Sequence, residues 1–173
     1  MNVFTDGNCK NNGKKNSIGG YGVLFTNYPD LNYFQVSKNI TNQQAELSAF
    51  KWLFRIILDN KDNKVYIKER KIYIYSDSLY SINCVTNWYK KWIGNNWKTK
   101  NNKDVKNKEI IIDILDYKNK CEELGFRFVF NHVRSHKDPP TISEDYVIWY
   151  GNYTVDRLIN NNINDFLETE KTI

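Results

Sequence analysis

The sequence predicts an α/β domain: a three-strand antiparallel meander, then strands that pair in parallel through helical connections, with helices flanking the sheet. Three observations carry that prediction. Three strand-like runs stand near the start, and the short link between the second and third implies an antiparallel meander. Leu47, Phe50, Leu53, Phe54, Ile57 and Leu58 then recur at three- and four-residue spacing, which is the period of a helix with one buried face. The next strand-like run follows that helix, and a helical crossover favours right-handed, parallel pairing.

Residues 2–8 open the chain as a strand in which Val3 leads to Asp6. Gly7 is expected to end it, in a conformation that other residues resist. A carboxylate at the carboxyl end of a strand is where open α/β sheets place chemistry. Residues 8–17 read as a polar loop, and residues 19–25 as a second strand whose early glycines mark a bulge or a close backbone approach. Tyr28-Pro29-Asp30 turns the chain, and Tyr33, Phe34, Val36 and Ile40 supply the third strand. Thr41-Asn42 can cap the helix that runs to about residue 60, with Glu46 in its first turn bordering the buried stripe.

A charged loop over 59–71 leads to residues 71–78, where alternating aliphatic and aromatic residues end in Asp77. This repeats the design of the first strand: apolar run, hydroxyl residue, Asp, turn. A short helix is expected over 79–87, and a longer one over 105–124, which Gly125 stops. Phe126, Phe128 and Phe130 make a last strand ending near His132. Residues 133–150, with Pro139-Pro140, read as an irregular loop. A closing helix is expected over 152–167, with Asp156 in an early turn. No repeat or second domain is visible, so residues 1–173 read as one domain.

Composition narrows the class. The chain is 40% hydrophobic and 15% aromatic, as a folded globular protein is. No apolar run approaches the roughly 20 residues of a membrane span, and the start does not resemble a signal peptide. Cys9, Cys84 and Cys121 are odd in number and lack metal-ligand spacing, so free thiols in a reducing compartment, cytoplasm or nucleus, are expected. The net charge of +5 is concentrated. Seven lysines and one acid between Trp88 and Lys108 give that segment +6, and the remainder sums to −1. One basic face suited to a polyanion is the natural reading.

Asp6, Glu46, Asp77 and Asp156 then stand at comparable places, two at strand ends and two near helix starts. Taken singly, the first pair could be turn residues and the second pair ordinary helix N-terminal acids. Brought together they could not all stay ionised unaided, since two charges ~4 Å apart repel by about 4 kcal/mol at an effective dielectric near 20. Divalent cations resolve that conflict, and oxygen-only ligands suit Mg²⁺ or Mn²⁺. Paired cations are the arrangement that cleaves phosphodiesters.

In this order, Thr5-Asp6-Gly7, Gly19-Gly20-Tyr21-Gly22, residues 41–47 (TNQQAEL), Ser76-Asp77-Ser78, Val133-Arg134-Ser135-His136 and residues 151–158 (GNYTVDRL) resemble the type 1 ribonuclease H family over nearly the whole chain. The resemblance implies that family's fold: a five-stranded mixed sheet, with a three-strand antiparallel meander plus two parallel strands, flanked by helices. It implies hydrolysis of the RNA strand of RNA–DNA hybrids by a monomer, leaving 5′-phosphate and 3′-hydroxyl ends. It also implies two Mg²⁺ ions, replaceable by Mn²⁺, held by Asp6, Glu46, Asp77 and Asp156. By the same comparison Asp6 bridges both ions and Asp156 helps hold the one that activates water. Glu46 and Asp77 then serve the leaving-group side.

His136 matches the family's mobile-loop histidine, which assists proton transfer or product release, whereas His132 reads as structural. Asn12, Asn42 and Gln43 match positions that read the RNA 2′-hydroxyl, for which an amide's paired donor and acceptor are suited. Cys9 lies near that path. Residues 88–107 resemble the family's basic protrusion: Trp88 matches an aromatic that touches a DNA sugar, while Thr41, Thr99 and Asn107 match a phosphate-gripping pocket. Asn42 could equally be a helix cap, and Trp92 and Trp97 could equally pack short helices together.

Two departures stand out. Gln44 replaces the family's usual Arg, and the stretch between His136 and Asp156 is longer than the family's, giving an enlarged histidine loop at about 133–151. With the first strand at the start of the chain, binding is expected to rely on the protrusion. The competing readings are a catalytically silent hybrid-binding module of the same fold and a superfamily nuclease acting on DNA.

Overall fold

The computed structural model describes residues 1–60, 67–134, 138–141 and 143–172. Five strands form one mixed sheet: β1 (Asn2–Lys10), β2 (Ile18–Phe25), β3 (Tyr33–Lys38), β4 (Lys71–Ser76) and β5 (Arg127–His132), in the order β3-β2-β1-β4-β5. β1–β2 and β2–β3 pair antiparallel, and β4 pairs parallel with β1 and with β5. The expected α/β architecture of meander plus parallel strands is therefore the observed one.

Side chains alternate along β1, and the alternation divides the core. Val3 joins Phe50, Phe54, Ile72 and Ile111 beneath helices α1 (Asn42–Asp59) and α4 (Lys108–Glu123). Phe4 points the other way, into a cluster with Val155, Ile159 and Ile163 of helix α5 (Ser143–Thr172). Helix α1 starts where expected, because Thr41 and Gln44 form a reciprocal capping box. Gln44, standing where a DNA-contacting Arg was expected, serves that cap.

Three expectations need correction. Gly7 does not end β1; it pairs with Tyr21 inside a strand that continues to Lys10. What it supplies is space, since a Cβ there would lie 2.3 Å from the Glu46 backbone nitrogen. Residues 79–94 are more elaborate than one short helix: α2 (Leu79–Asn83) runs through a π turn (Cys84–Trp88) into α3 (Tyr89–Gly94). Finally, the expected loop over 133–150 is helical from Ser143, so Asp156 sits well inside a 30-residue helix and not in its early turns. A Cβ at Gly151 would lie 2.2 Å from the Phe4 ring. Gly151 is a helical glycine that lets α5 approach the sheet.

The protrusion is tied together by its own contacts. Tyr80, Trp88, Trp92 and Trp97 form a chain of rings with successive centroids 6.0, 5.8 and 6.2 Å apart. Lys98 pairs with Asp104 at 2.6 Å, and Val105 anchors the far end in the core. Trp92 and Trp97 thus pack as the plainer of their two readings held. Among the described residues no helix is long and apolar enough to cross a membrane.

Candidate active site and nucleic-acid interface

The parallel register of β1 and β4 builds the centre of the site. The ladder pairs Asn2 with Tyr73, Val3 with Ile74 and Phe4 with Tyr75. Two residues further along each strand come Asp6 and Asp77, so equal strides deliver both carboxylates to one sheet edge. The turn after Asp77 is fixed by hydrogen bonds: the Ser78 N–H donates to Ser76 Oγ, and Ser78 Oγ caps α2 by accepting from the Ser81 N–H. His132 Nε2 lies 3.1 Å from the Asp77 carbonyl oxygen, which makes this histidine a buttress of the turn.

Glu46 arrives from the opposite face of the sheet. Because Gly7 has no side chain, the first turn of α1 presses against β1 and brings the Glu46 carboxylate around the sheet edge. One ligand oxygen from each of Asp6, Glu46 and Asp77 lies within 4.8 Å of the others. Asp6 and Glu46 are buried, and Glu46 Oε2 has no hydrogen-bond partner.

Electrostatics record the crowding. Burial, reinforced by the charges of Asp77 and Asp156, pushes the Asp6 carboxyl from its ordinary 3.8 to about 7, although the Gly7 N–H donates to it at 2.7 Å. Glu46 is raised well above its ordinary value by burial and by the charges of Asp6 and Asp77. A buried oxygen without a donor and carboxylates too crowded to ionise are what a cation would relieve. The donor set is all oxygen, so the residues fit a hard divalent ion.

Asp156 reaches Asp6 from α5 and is held by a relay that the sequence reading did not anticipate. Asn160 Nδ2 donates to Asp156 Oδ1 at 2.8 Å, and Asn8 Nδ2 donates to Asn160 Oδ1 at 2.7 Å. Lys10 Nζ donates in turn to Asn164 Oδ1. Positions 6, 8 and 10 of the strand therefore meet positions 156, 160 and 164 of the helix. The signal lay in two periods, every second residue of β1 and every fourth of α5, hidden among abundant asparagines.

The expected substrate contacts divide between two places. At the start of α1, Asn12 Oδ1 accepts from the Asn42 N–H at 3.0 Å and Cys9 Sγ donates to the Ile40 carbonyl at 3.0 Å. Cys9, Asn12, Thr41, Asn42 and Gln43 thus share one rim. Trp88, 38% exposed, lies on the protrusion with Thr99, whose Oγ1 accepts from the Lys103 N–H, and Asn107, whose Nδ2 donates to the Tyr80 hydroxyl. No hydrogen bond among the described residues joins Thr41 to Thr99 or Asn107, so the expected phosphate pocket is not closed by direct contact. His136 lies outside the described residues.

A family model described as RNase H matches residues 1–164. Ribonuclease H1 of Mus musculus is 35% identical over 113 residues, 65% of this chain and 37% of that protein. The chain spans little more than a third of such mammalian relatives. Ribonuclease HI of Haemophilus ducreyi is 32% identical over 133 residues, 76% of this chain and 78% of that protein.

Among solved structures, the PFV RNase H domain superposes with a TM-score of 0.68 at 18% identity, covering 94% of this chain and 93% of that one. LC11-RNase H1, solved in complex with an RNA/DNA hybrid, gives 0.57 at 19% identity, covering 96% and 98%. Both likenesses speak to the fold alone. With its matched length, its sheet order and its acidic cluster in agreement, the chain belongs to the RNase H family.

Proposed function

We propose that this protein is an endonuclease that hydrolyses the RNA strand of RNA–DNA hybrids with two Mg²⁺ ions, leaving 5′-phosphate and 3′-hydroxyl ends. The observation that carries the reading is the meeting of Asp6, Glu46 and Asp77 within 4.8 Å, with Asp156 held beside Asp6. When bound, the cations would activate water and stabilise charge on the attacking and leaving oxygens. Asp6, which feels both Asp77 and Asp156, would be the residue held in common by both ions. Glu46 and Asp77 would then help hold the ion on the leaving-group side, and Asp156 the ion that activates water. His136 is kept as the residue assisting proton transfer or product release.

The substrate reading is supported by the two separate surfaces. Asn12, Asn42 and Gln43, with Cys9 near them, would read the RNA 2′-hydroxyl beside the carboxylates. Trp88, Thr99 and Asn107, with the lysines around them, would hold the DNA strand, and Thr41 would join them through the intervening phosphate. A silent binding module is the weaker reading. A buried Glu46 oxygen without a donor and an Asp6 held up at about 7 burden folding, and simple binding has no use for either.

A labelled hybrid, incubated with and without Mg²⁺, tests the proposal. Mg²⁺-dependent cuts in the RNA strand are expected, with duplex DNA and single-stranded RNA left intact. Equal cutting of duplex DNA would remove the hybrid specificity, and no cutting at all would favour the silent module. Asp77→Asn should abolish turnover while sparing hybrid binding.

A further inference from the structure

Beside Asp156, which lines it, opens a cavity of about 610 Å³ whose aromatic wall none of the roles above uses. One wall is the part of α5 that replaced the expected loop. Tyr146, Trp149, Tyr150 and Tyr153 recur there at three- and four-residue spacing. Trp149 and Tyr153 stack with centroids 5.1 Å apart and planes 9° from parallel, and both line the cavity. Tyr146 and Tyr150 form a second stacked pair, 6.0 Å and 13° apart, with Tyr146 tilted against Trp149 at 5.6 Å. Tyr146, Tyr150 and Tyr153 are each 44–53% exposed, so a solvent-facing aromatic stripe leads into the cavity.

The remaining lining has its own chemistry. Asp138 and Asp145 offer acceptors, as does Asn152, whose Oδ1 is buried without a partner; Arg134 supplies a cation. With Asp156 included, the three lining acids outnumber Arg134 and His132, so the cavity does not suit a phosphate chain. A flat, neutral group with amino donors does suit it: it can stack on the ring wall while its amino hydrogens meet the acceptors.

We propose that this cavity is a subsite for an unpaired nucleobase of the RNA strand where it leaves the hybrid as a single strand, next to the cleavage position. The inference rests on the nuclease reading, because the cavity is continuous with the reaction site through Asp156. Its consequence is a preference for hybrids that carry a single-stranded RNA extension. Stacking is indifferent to sequence, so the preference is for an unpaired base as such, amino-bearing bases first.

The test compares binding, in chelator, of three hybrids of equal duplex length: blunt, with a short adenine extension of the RNA, and with an extension of abasic sugars. The adenine extension is expected to tighten binding by roughly tenfold and the abasic one not at all. Trp149→Ala together with Tyr153→Ala should erase the gain and leave blunt-hybrid binding and cleavage unchanged. Trp149→Phe should retain most of the gain. An equal gain from the abasic extension, or a gain that survives loss of both rings, overturns the subsite alone. Failure to bind the blunt hybrid in chelator, together with failure to cut it in Mg²⁺, overturns the nuclease reading and the subsite with it.

Discussion

Replacing Gly7 by Ala should cost this protein far more activity than stability. The added Cβ would lie 2.3 Å from the Glu46 nitrogen, 2.4 Å from the Ala45 carbonyl carbon and 2.7 Å from the Glu46 Cα, all of them backbone atoms. No rotamer change can relieve those contacts. Ordinary van der Waals separation begins near 3.5 Å, so the first turn of α1 must retreat from β1 by about 1 Å. Overpacking of this kind costs about 1–3 kcal/mol, against a total stability of about 5–15 kcal/mol. The variant should therefore fold, with a Tm lowered by roughly 2–12 °C.

The same retreat withdraws Glu46 from Asp6 and Asp77, and a displacement near 1 Å at a catalytic group costs on the order of 100-fold in rate. The expected result is a kcat on the hybrid reduced about 100-fold, with a smaller rise in KM because Thr41, Asn42 and Gln43 at the start of α1 move with Glu46. Gly94→Ala is the control, since a Cβ there meets nothing within 4 Å. A Gly7→Ala protein with normal kcat would refute the idea that this missing side chain positions Glu46.

The remaining predictions concern charge. Without cations, folded Asp6 keeps its proton up to about pH 7, whereas the unfolded chain loses it near 3.8. The folded state then binds more protons between those values, so stability falls as pH rises from about 4 to 7, and raised Glu46 adds in the same direction. In chelator the Tm should be several degrees lower at pH 8 than at pH 5, and Mg²⁺ should restore it at pH 8; a flat Tm would contradict a crowded, buried cluster. Asn160→Ala frees Asp156 from its donor and should weaken cation binding by about tenfold in calorimetry; unchanged affinity would reduce the relay to packing. Neutralising Lys90 and Lys91 should lower the slope of log affinity against log salt by up to about 2. Lys98, already paired with Asp104, should contribute less; equal slopes for all variants would count against the protrusion as a phosphate-binding surface.

How much the sequence revealed depended on the range of the interaction. Asp6 and Asp77 were legible because each follows an apolar strand in the same local wording, and parallel register then forces them together. Thr41 was legible as a cap because a capping box spans four residues. Gly7 was misread: a turn glycine and a close-approach glycine are alike until the helix packed against it is known. In the sequence the stretch from 143 to 150 reads as loop, so the helical spacing of Tyr146, Trp149, Tyr150 and Tyr153 goes unused. The Asn8–Asn160 contact joins residues 152 positions apart in a chain rich in asparagine. No local pattern could have singled out that pair.

The matched steps of β1 and α5 have a further consequence. Two strand residues advance about 6.7 Å and four helical residues about 6 Å, so the two elements stay in phase across three successive pairs, like the marks of a vernier. Extra residues before Ser143 would leave that phase intact, which is why a lengthened approach to α5 is compatible with an Asp156 still aimed at Asp6. One residue inserted between Asn152 and Asp156 would instead turn the helix by about 100° relative to its upstream part. To keep Ile159 and Ile163 in the core, Gly151 would have to leave Phe4. Length is therefore free on one side of Gly151 and fixed on the other.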